Sequence, residues 1–448
     1  MDRATDHAAL PESFHLAAGK LALDPRDPSF FQNPYPAYRA LIAAGGTAHW
    51  EAVGGLAVAG HALVSAMLRD RRFGRVVPSG PDGRADPSGR PAHLADFYAL
   101  EANSLLELEA PTHTRLRALL TKAFVSRRIE RLAPTIGQIA DALIDGFQDG
   151  AEIDLIGRFA APLPVMVIAD LIGVPRSAGD ALVGWSHAMV AMYTPGRSLE
   201  TEHAANHASW EFAAFLHKLI AAKARAPGDD LVSALIAAET EGGGRLSRDE
   251  TVSLLVLLLN AGHEATVHQI GNAVNAILRH VGHEARGPAG QSPAASPAGL
   301  FADAALAEAT VEETLRFDPP LHLFERYALE PVELPGGARL ERGDKVALLL
   351  AAANRDPAAY SEPDRFIPAR FLGTNPPTPV SFGGGIHFCI GAPLARLEMK
   401  IALTRLFTRC PDIFVAAPPP VRDAWHFRGL ESLLVATARQ EHGPDGPR

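Results

Sequence analysis

The run Phe382-Gly383-Gly384-Gly385-Ile386-His387-Phe388-Cys389-Ile390-Gly391 concentrates more chemistry than any other stretch of the 448-residue chain. Four of its ten residues are Gly, and it holds one of only two cysteines. Glycine lets a backbone come close to another group and adopt dihedrals that other residues avoid. From about Pro393 onward, Leu394, Leu397 and Ile401 recur at a spacing that predicts an amphipathic helix. A cysteine just before a helix N-terminus, among free amide N–H groups, is stabilised as a thiolate and can ligate a metal. A lone cysteine in a turn is more often a small buried hydrophobe, and Cys410 takes that reading.

Three further constellations stand out. Glu313 and Arg316 are three apart, so they share a helical face and can pair. His113 and Arg117 are four apart on a predicted helix over Pro111 to Phe124, and two cationic donors on one face suit a carboxylate. Ala261-Gly262-His263-Glu264-Ala265-Thr266 interrupts the longest apolar-periodic stretch, Thr251 to His280. Gly262 costs that helix about 1 kcal/mol relative to Ala. Taken singly, each has a plain reading: a solvated polar edge, a surface ion pair, a glycine tolerated for packing. His263 reads as a packed or solvated side chain.

The order Phe-Gly-x-Gly-x-His-x-Cys-x-Gly, filled from Phe382 to Gly391, resembles the haem-binding loop of the cytochromes P-450. The likeness recurs from about Asn33 to the C-terminus. It implies a mainly α fold with small β-sheets, the cytochrome P-450 fold, holding haem b. Cys389 is then the axial thiolate of the iron, a ligand that favours O–O cleavage. His387, His113, Arg117 and Arg326 become the propionate donors. Glu313 and Arg316, completed by Arg370 of Phe366-Ile367-Pro368-Ala369-Arg370-Phe371, take a structural role. The Thr251 to His280 helix would cross the haem, with Gly262 giving a groove for dioxygen and Glu264 the acid of a proton relay. The alcohol that normally follows the acid is absent, because Ala265 fills its place. Thr266 is one residue on and rotated by ~100°. Ala261 and the run Leu321, His322, Leu323 and Phe324 would line the pocket. Glu109 stands where relatives usually have Asp. The loop over 76 to 91, dense in Gly, Pro, Asp and Ser, would cover the substrate, and the segment Trp185 to Phe215 would roof it.

The activity so implied is a monooxygenase that inserts one oxygen atom from O2 into an apolar or partly oxygenated small molecule. Electrons would come from NAD(P)H through a ferredoxin reductase and a ferredoxin. Arg115, Lys122, Arg396 and Lys400 are the expected basic docking patch. Two other readings stand beside it. The missing alcohol suits a peroxygenase driven by hydrogen peroxide, and a haem sensor or carrier would bind ligands without oxidising them.

Several elements must position these groups. A helix opens at Asn33-Pro34-Tyr35-Pro36, a hairpin is expected over Ala48 to Ala59, and a helix over His61 to Leu68. Mostly helical chain runs from Pro162 to Ala238, with breaks at Gly173-Val174-Pro175 and Pro195-Gly196. The helix ending at Arg316 stops before Pro319-Pro320, and strand-like pieces follow over Arg326 to Leu334 and Lys345 to Ala351. Residues 1–30 read as an irregular lead-in and 31–440 as one domain. A flexible connection over about 282–300 interrupts it without dividing it. The composition, 47% hydrophobic with 21% charged, permits a large core. A net charge of −9 gives no support for nucleic-acid binding. Two cysteines cannot make a disulfide framework, and no apolar run reaches the ~20 residues of a membrane span. With no signal-peptide pattern at the start, the expectation is a cytoplasmic protein without a membrane anchor.

Overall fold

The computed structural model describes residues 9–147, 151–193, 196–238, 243–284, 296–373 and 376–437. Its centre is one helix, Arg248–Glu284, 37 residues long. Leu254, Leu255, Ile270, Ala273, Val274 and Ile277 on it are fully buried. A helix that is apolar nearly all round belongs inside a core, and neighbours pack on it from several sides. Pro162–Ile172, Gly179–Val190, Leu199–Arg225 and Ala304–Phe317 all touch it, as does Ala392–Arg409. The helix runs further at both ends than the apolar period predicts. Ser247 explains the start: its hydroxyl accepts from the Glu250 amide, and the Glu250 carboxylate accepts from the Ser247 amide.

Among the described residues the β-structure forms three sheets, the largest of seven strands. Seven strands order as His15–Ala17, Lys20–Ala22, Thr47–Trp50, Gly55–Val58, Lys345–Leu349, Leu323–Ala328 and Phe73–Gly74. The sheet thus joins the start of the chain to its last third. The expected hairpin forms from Thr47–Trp50 and Gly55–Val58, turned by Gly54 at a φ of 68°. The lead-in expected to be irregular is ordered where it is described: two of its strands form the sheet edge, and a short helix, Pro28–Gln32, buries Phe30. Three-residue strands carry almost no period-2 pattern, so the sequence offered little to read there. Val346 pairs with Arg326 and Leu349 with Leu323, so the first strand-like piece begins at Leu323, three residues earlier than expected, and the second begins at Lys345 as expected. After Leu349 the chain turns into a short helix, Leu350–Ala353. Of the connection expected over 282–300, the central helix takes the first residues and a 3-10 turn, Pro297–Phe301, the last; 285–295 lie outside the described residues.

Candidate haem-thiolate site

The cysteine loop is tied at both ends. The Cys389 amide donates to the Phe382 carbonyl at 3.0 Å, closing the loop on itself. Gly383 and Gly385 adopt φ of 72° and 66°, in the left-handed region that L side chains avoid. A side chain at Gly383 would also stand 2.8 Å from the Phe324 ring, and one at Gly385 would collide with the backbone of Leu68. The helix Ala392–Arg409 starts three residues after Cys389. Burial pushes the Cys389 thiol up. Against it act donated bonds from the Gly391 and Ala392 amides and the guanidiniums of Arg117 and Arg396. Those are the groups that stabilise a thiolate once a cation faces it. Cys410 lies buried in the main core, as its plain reading implied.

The helix Thr112–Ala123 brings His113 and Arg117 to this loop. His113 is 1% exposed, and its ring lies 4.3 Å from that of His387. Neither of its ring nitrogens has a hydrogen-bond partner. Burial lowers its pKa to about 4, His387 and Arg117 add to the fall, and Glu109 opposes it. Arg117 Nη2 donates to the Phe388 carbonyl at 2.6 Å. Arg326, 1% exposed, donates to the neighbouring Glu325 carbonyl at 2.8 Å. A buried guanidinium with five donors and an orphaned buried imidazole both call for an anion. Haem propionates supply two carboxylates, so this end of the site fits haem.

Glu109 is the member that sequence reasoning passed over as a mild departure. It is 5% exposed, and His387 Nε2 lies 3.1 and 3.2 Å from its two oxygens. The Arg75 amide donates to it at 2.5 Å. Burial opposes its charge, but the bond to His387 leads a set of contacts that leave its carboxyl below the usual range. Arg75 was also missed; its charge is felt at both His387 and Arg326. Nothing in the local sequence marks Arg75, which reaches the site only through the short strand Phe73–Gly74.

On the central helix the open positions include Ala261 and Ala265, both expected at the site. Ala261 is exposed in mid-helix, with Leu257 and Ala265 half-buried one turn either side. These three share a face. Gly262 instead meets Ile168 of Pro162–Ile172, 3.6 Å from where its Cβ would be. That is ordinary van der Waals distance, so this contact by itself does not require glycine at 262. Thr266 is 7% exposed, and its hydroxyl donates to the Gly262 carbonyl at 3.0 Å, off the open face. Glu264 pairs with Arg422 (3.3 Å) and faces His268 (3.9 Å), while its Oε2 has no partner. His263 is buried as expected, with its ring stacked on His187 at 5.5 Å.

The pocket run splits by strand alternation. Phe324 shares its face with Arg326 and reaches Gly383 of the loop, whereas Leu323 packs into the opposite cluster with Ala347 and Leu349. His322 does not line a pocket at all. It is fully buried, with Nδ1 3.0 Å from the Tyr38 hydroxyl. Leu321 bridges to Phe427. The expected roof is built from Gly179–Val190 and Leu199–Arg225, with Trp185 stacked on Phe212 at 5.2 Å. Phe382 sits under the Arg396 guanidinium, 4.6 Å from ring centre to Cζ.

The structural triad is complete. Arg316 Nε and Nη2 donate to Glu313 at 2.7 and 2.8 Å, and Arg370 Nε lies 3.3 Å from the same carboxylate. The Ile367 amide donates to Glu313 as well, at 2.6 Å. The basic docking patch is not free. Arg115 pairs with Glu250, Arg396 with Glu312 and Lys400 with Glu308, and Lys122 also has a partner. Beside them on the loop, Ile386 and Phe388 are exposed. Among the described residues no helix is long and apolar enough to cross a membrane.

The chain is similar to known proteins of one family. The family model described as "Cytochrome P450" matches residues 186–414. Cytochrome P450 107B1 of Saccharopolyspora erythraea is 40% identical over 368 residues, covering 81% of this chain and 83% of that one. Cytochrome P450 monooxygenase PikC of Streptomyces venezuelae is 35% identical over 421 residues, 92% of each. Among solved structures, P450BioI in complex with acyl carrier protein ligated to hexadec-9Z-enoic acid superposes with a TM-score of 0.80 at 31% identity, covering 92% of this chain and 99% of that one.

Proposed function

The chain belongs to the cytochrome P450 family, and from that premise we propose that it oxygenates a small molecule that itself carries oxygen, with Cys389 as the iron ligand. The family's monooxygenase activity and its haem b are the settled part. Haem, when bound, supplies the activation of dioxygen. The observation that carries the site assignment is the buried anion cradle beside the loop: His113 with both nitrogens unpartnered, and the buried guanidinium of Arg326. His113, Arg326 and His387 would hold the propionates, with Arg117 holding the loop through Phe388. Glu109 orients His387 through Nε2.

The chain's own residues also govern protons. Glu264 is the nearest acid to the Ala261/Ala265 face, and no side-chain hydroxyl of the central helix stands on that face. A hydroxyl or carbonyl of the substrate, with a water, would complete the path. This favours a polyketide-, steroid- or terpenoid-like substrate over a bare hydrocarbon. Electron supply from NAD(P)H through a reductase and ferredoxin remains part of the reading. The test is the carbon monoxide spectrum of the reduced holoprotein, followed by turnover with NAD(P)H, reductase and ferredoxin. The wild type should show the red-shifted Soret band of a thiolate haem, and Cys389→Ala should lose it. A wild-type band of the His-ligated kind rejects Cys389. The absence of an alcohol at 265 favours one second reading, a peroxygenase. Product formed from hydrogen peroxide alone, and none from the electron chain, would select it.

A further inference from the structure

The central helix carries a polar residue where its apolar run meets the open face. Every residue from Leu254 to Leu259 is apolar, and Asn260 follows directly, one residue before Ala261. Asn260 stands about 60° round the helix from Leu257 and about 100° from Ala261, so it borders the open face. The border is the one next to the roof, because Asn260 Nδ2 donates to the Met189 sulfur of Gly179–Val190 at 3.7 Å. Met189 is 1% exposed and belongs to the inward side of that helix, with Leu182 and Ser186.

This is a poor arrangement for the protein without ligand. A thioether is a weak acceptor, and it takes one of the two N–H groups of Nδ2. Oδ1 has no hydrogen-bond partner. A buried carbonyl left unpaired costs stability, and Asn forms helix less readily than Leu. A leucine at 260 would continue the apolar run and pack on Met189 without either cost. The residue is half-buried although Oδ1 is closed in, which leaves Cβ and the second N–H of Nδ2 as the side-chain groups that can face the opening. Leu257 and Ala261 beside it are half-buried and exposed, so the adjoining space is open.

We infer that Asn260 determines specificity: its amide N–H donates to an acceptor oxygen of the substrate, a ketone, ester or hydroxyl, and holds the oxygen-bearing part at the roof edge of the open face. The inference rests on the reading of an oxygen-bearing substrate and names the group that reads the oxygen. No bond is made or broken at Asn260. A donor placed for an oxygen discriminates against an analogue that lacks it.

The test uses holoprotein: wild type, Asn260→Leu and Asn260→Ala. The probes are phenylimidazole, which ligates the iron whatever the true substrate, and its ortho-, meta- and para-acetyl derivatives. Affinities are read from the shift of the Soret band, and the melting temperature is taken without ligand. In wild type at least one acetyl isomer should bind about tenfold more tightly than phenylimidazole, the worth of one hydrogen bond. Both variants should lose that preference and keep the affinity for phenylimidazole itself, which separates a lost donor from a changed volume. Asn260→Leu should melt at or above wild type, as expected of a residue kept for binding at the expense of stability. Absence of any acetyl preference in wild type overturns the inference, as does a preference that survives in both variants or an equal loss of affinity for all four probes. A wild type whose reduced carbon monoxide band is of the His-ligated kind overturns the thiolate monooxygenase reading instead, whatever the azoles do.

Discussion

Ala265 puts a methyl group on the open face of the central helix, where a hydroxyl would be of use. The next residue cannot take over, because the Thr266 hydroxyl already donates to the Gly262 carbonyl at 3.0 Å. Breaking that bond to turn the hydroxyl toward the face would leave a buried polar group to satisfy elsewhere, at ~1–3 kcal/mol. The substrate is then the remaining source of a donor. Ala265→Thr should change product per NAD(P)H little with the true, oxygen-bearing substrate. With an analogue lacking the polar group it should raise that ratio severalfold. Wild type equally well coupled on both substrates would sink the substrate-assisted path. The sequence made this departure legible because the motif has a fixed register. It did not make Glu109 or Arg75 legible. Their roles come from where short strands and loops bring them, and no local spacing encodes that.

At the scale of elements, the Glu313 carboxylate is a knot between three segments. It takes both nitrogens of Arg316 within its own helix, the Ile367 amide and Arg370. Arg316 continues to the carbonyls of Asn354, Pro363 and Arg365. Both side chains are fully buried, so removal of one leaves the other charged and unpaired. Arg316→Ala should cost ~3–5 kcal/mol of stability, read by denaturant titration, and lower haem retention. A haem-replete variant of wild-type stability with a specific loss of turnover would contradict the structural role. Exposed pairs behave differently. Arg396 and Lys400 lean across to Glu312 and Glu308, which ties the cysteine-loop helix to Ala304–Phe317. Their charge is largely matched, so electron transfer from a ferredoxin should fall only about two- to threefold between low and high salt. A drop of a hundredfold or more would show that a free basic patch docks the partner. The helices themselves were readable from apolar period and capping residues. The pairing of Glu308 and Glu312 was not, because it joins residues about ninety apart.

The whole molecule is held together by contacts that close over hundreds of residues, and several of them depend on uncharged histidine. The sheet that joins residues 15–22 to 345–349 was not foreseen, since a register between distant short strands leaves no mark in either one. His322 sits at that junction, fully buried, with its Nδ1 3.0 Å from the Tyr38 hydroxyl and with Arg428, Arg355 and Asp318 nearby. Burial first, then the Arg428 charge, bring its pKa down to about 3. His268, packed between Gly429 and Phe427, is lowered to about 3 for the same leading reason, with Arg422 adding to it. An unfolded histidine titrates near 6.5. Above that pH neither state binds the proton, so these groups give no slope. As pH falls below it, the unfolded chain takes up protons that the folded one refuses, and stability is lost until the folded groups titrate. Each group should remove about 1.4 kcal/mol per pH unit within that window. His322→Gln keeps an acceptor for Tyr38 but cannot titrate. Denaturant midpoints of the holoprotein, converted with the measured m-value between pH 7 and 4.5, should fall less steeply for this variant by about one proton's worth of slope. If the two slopes coincide, acid lability must arise elsewhere, and His322 is already protonated or already exposed in the folded state.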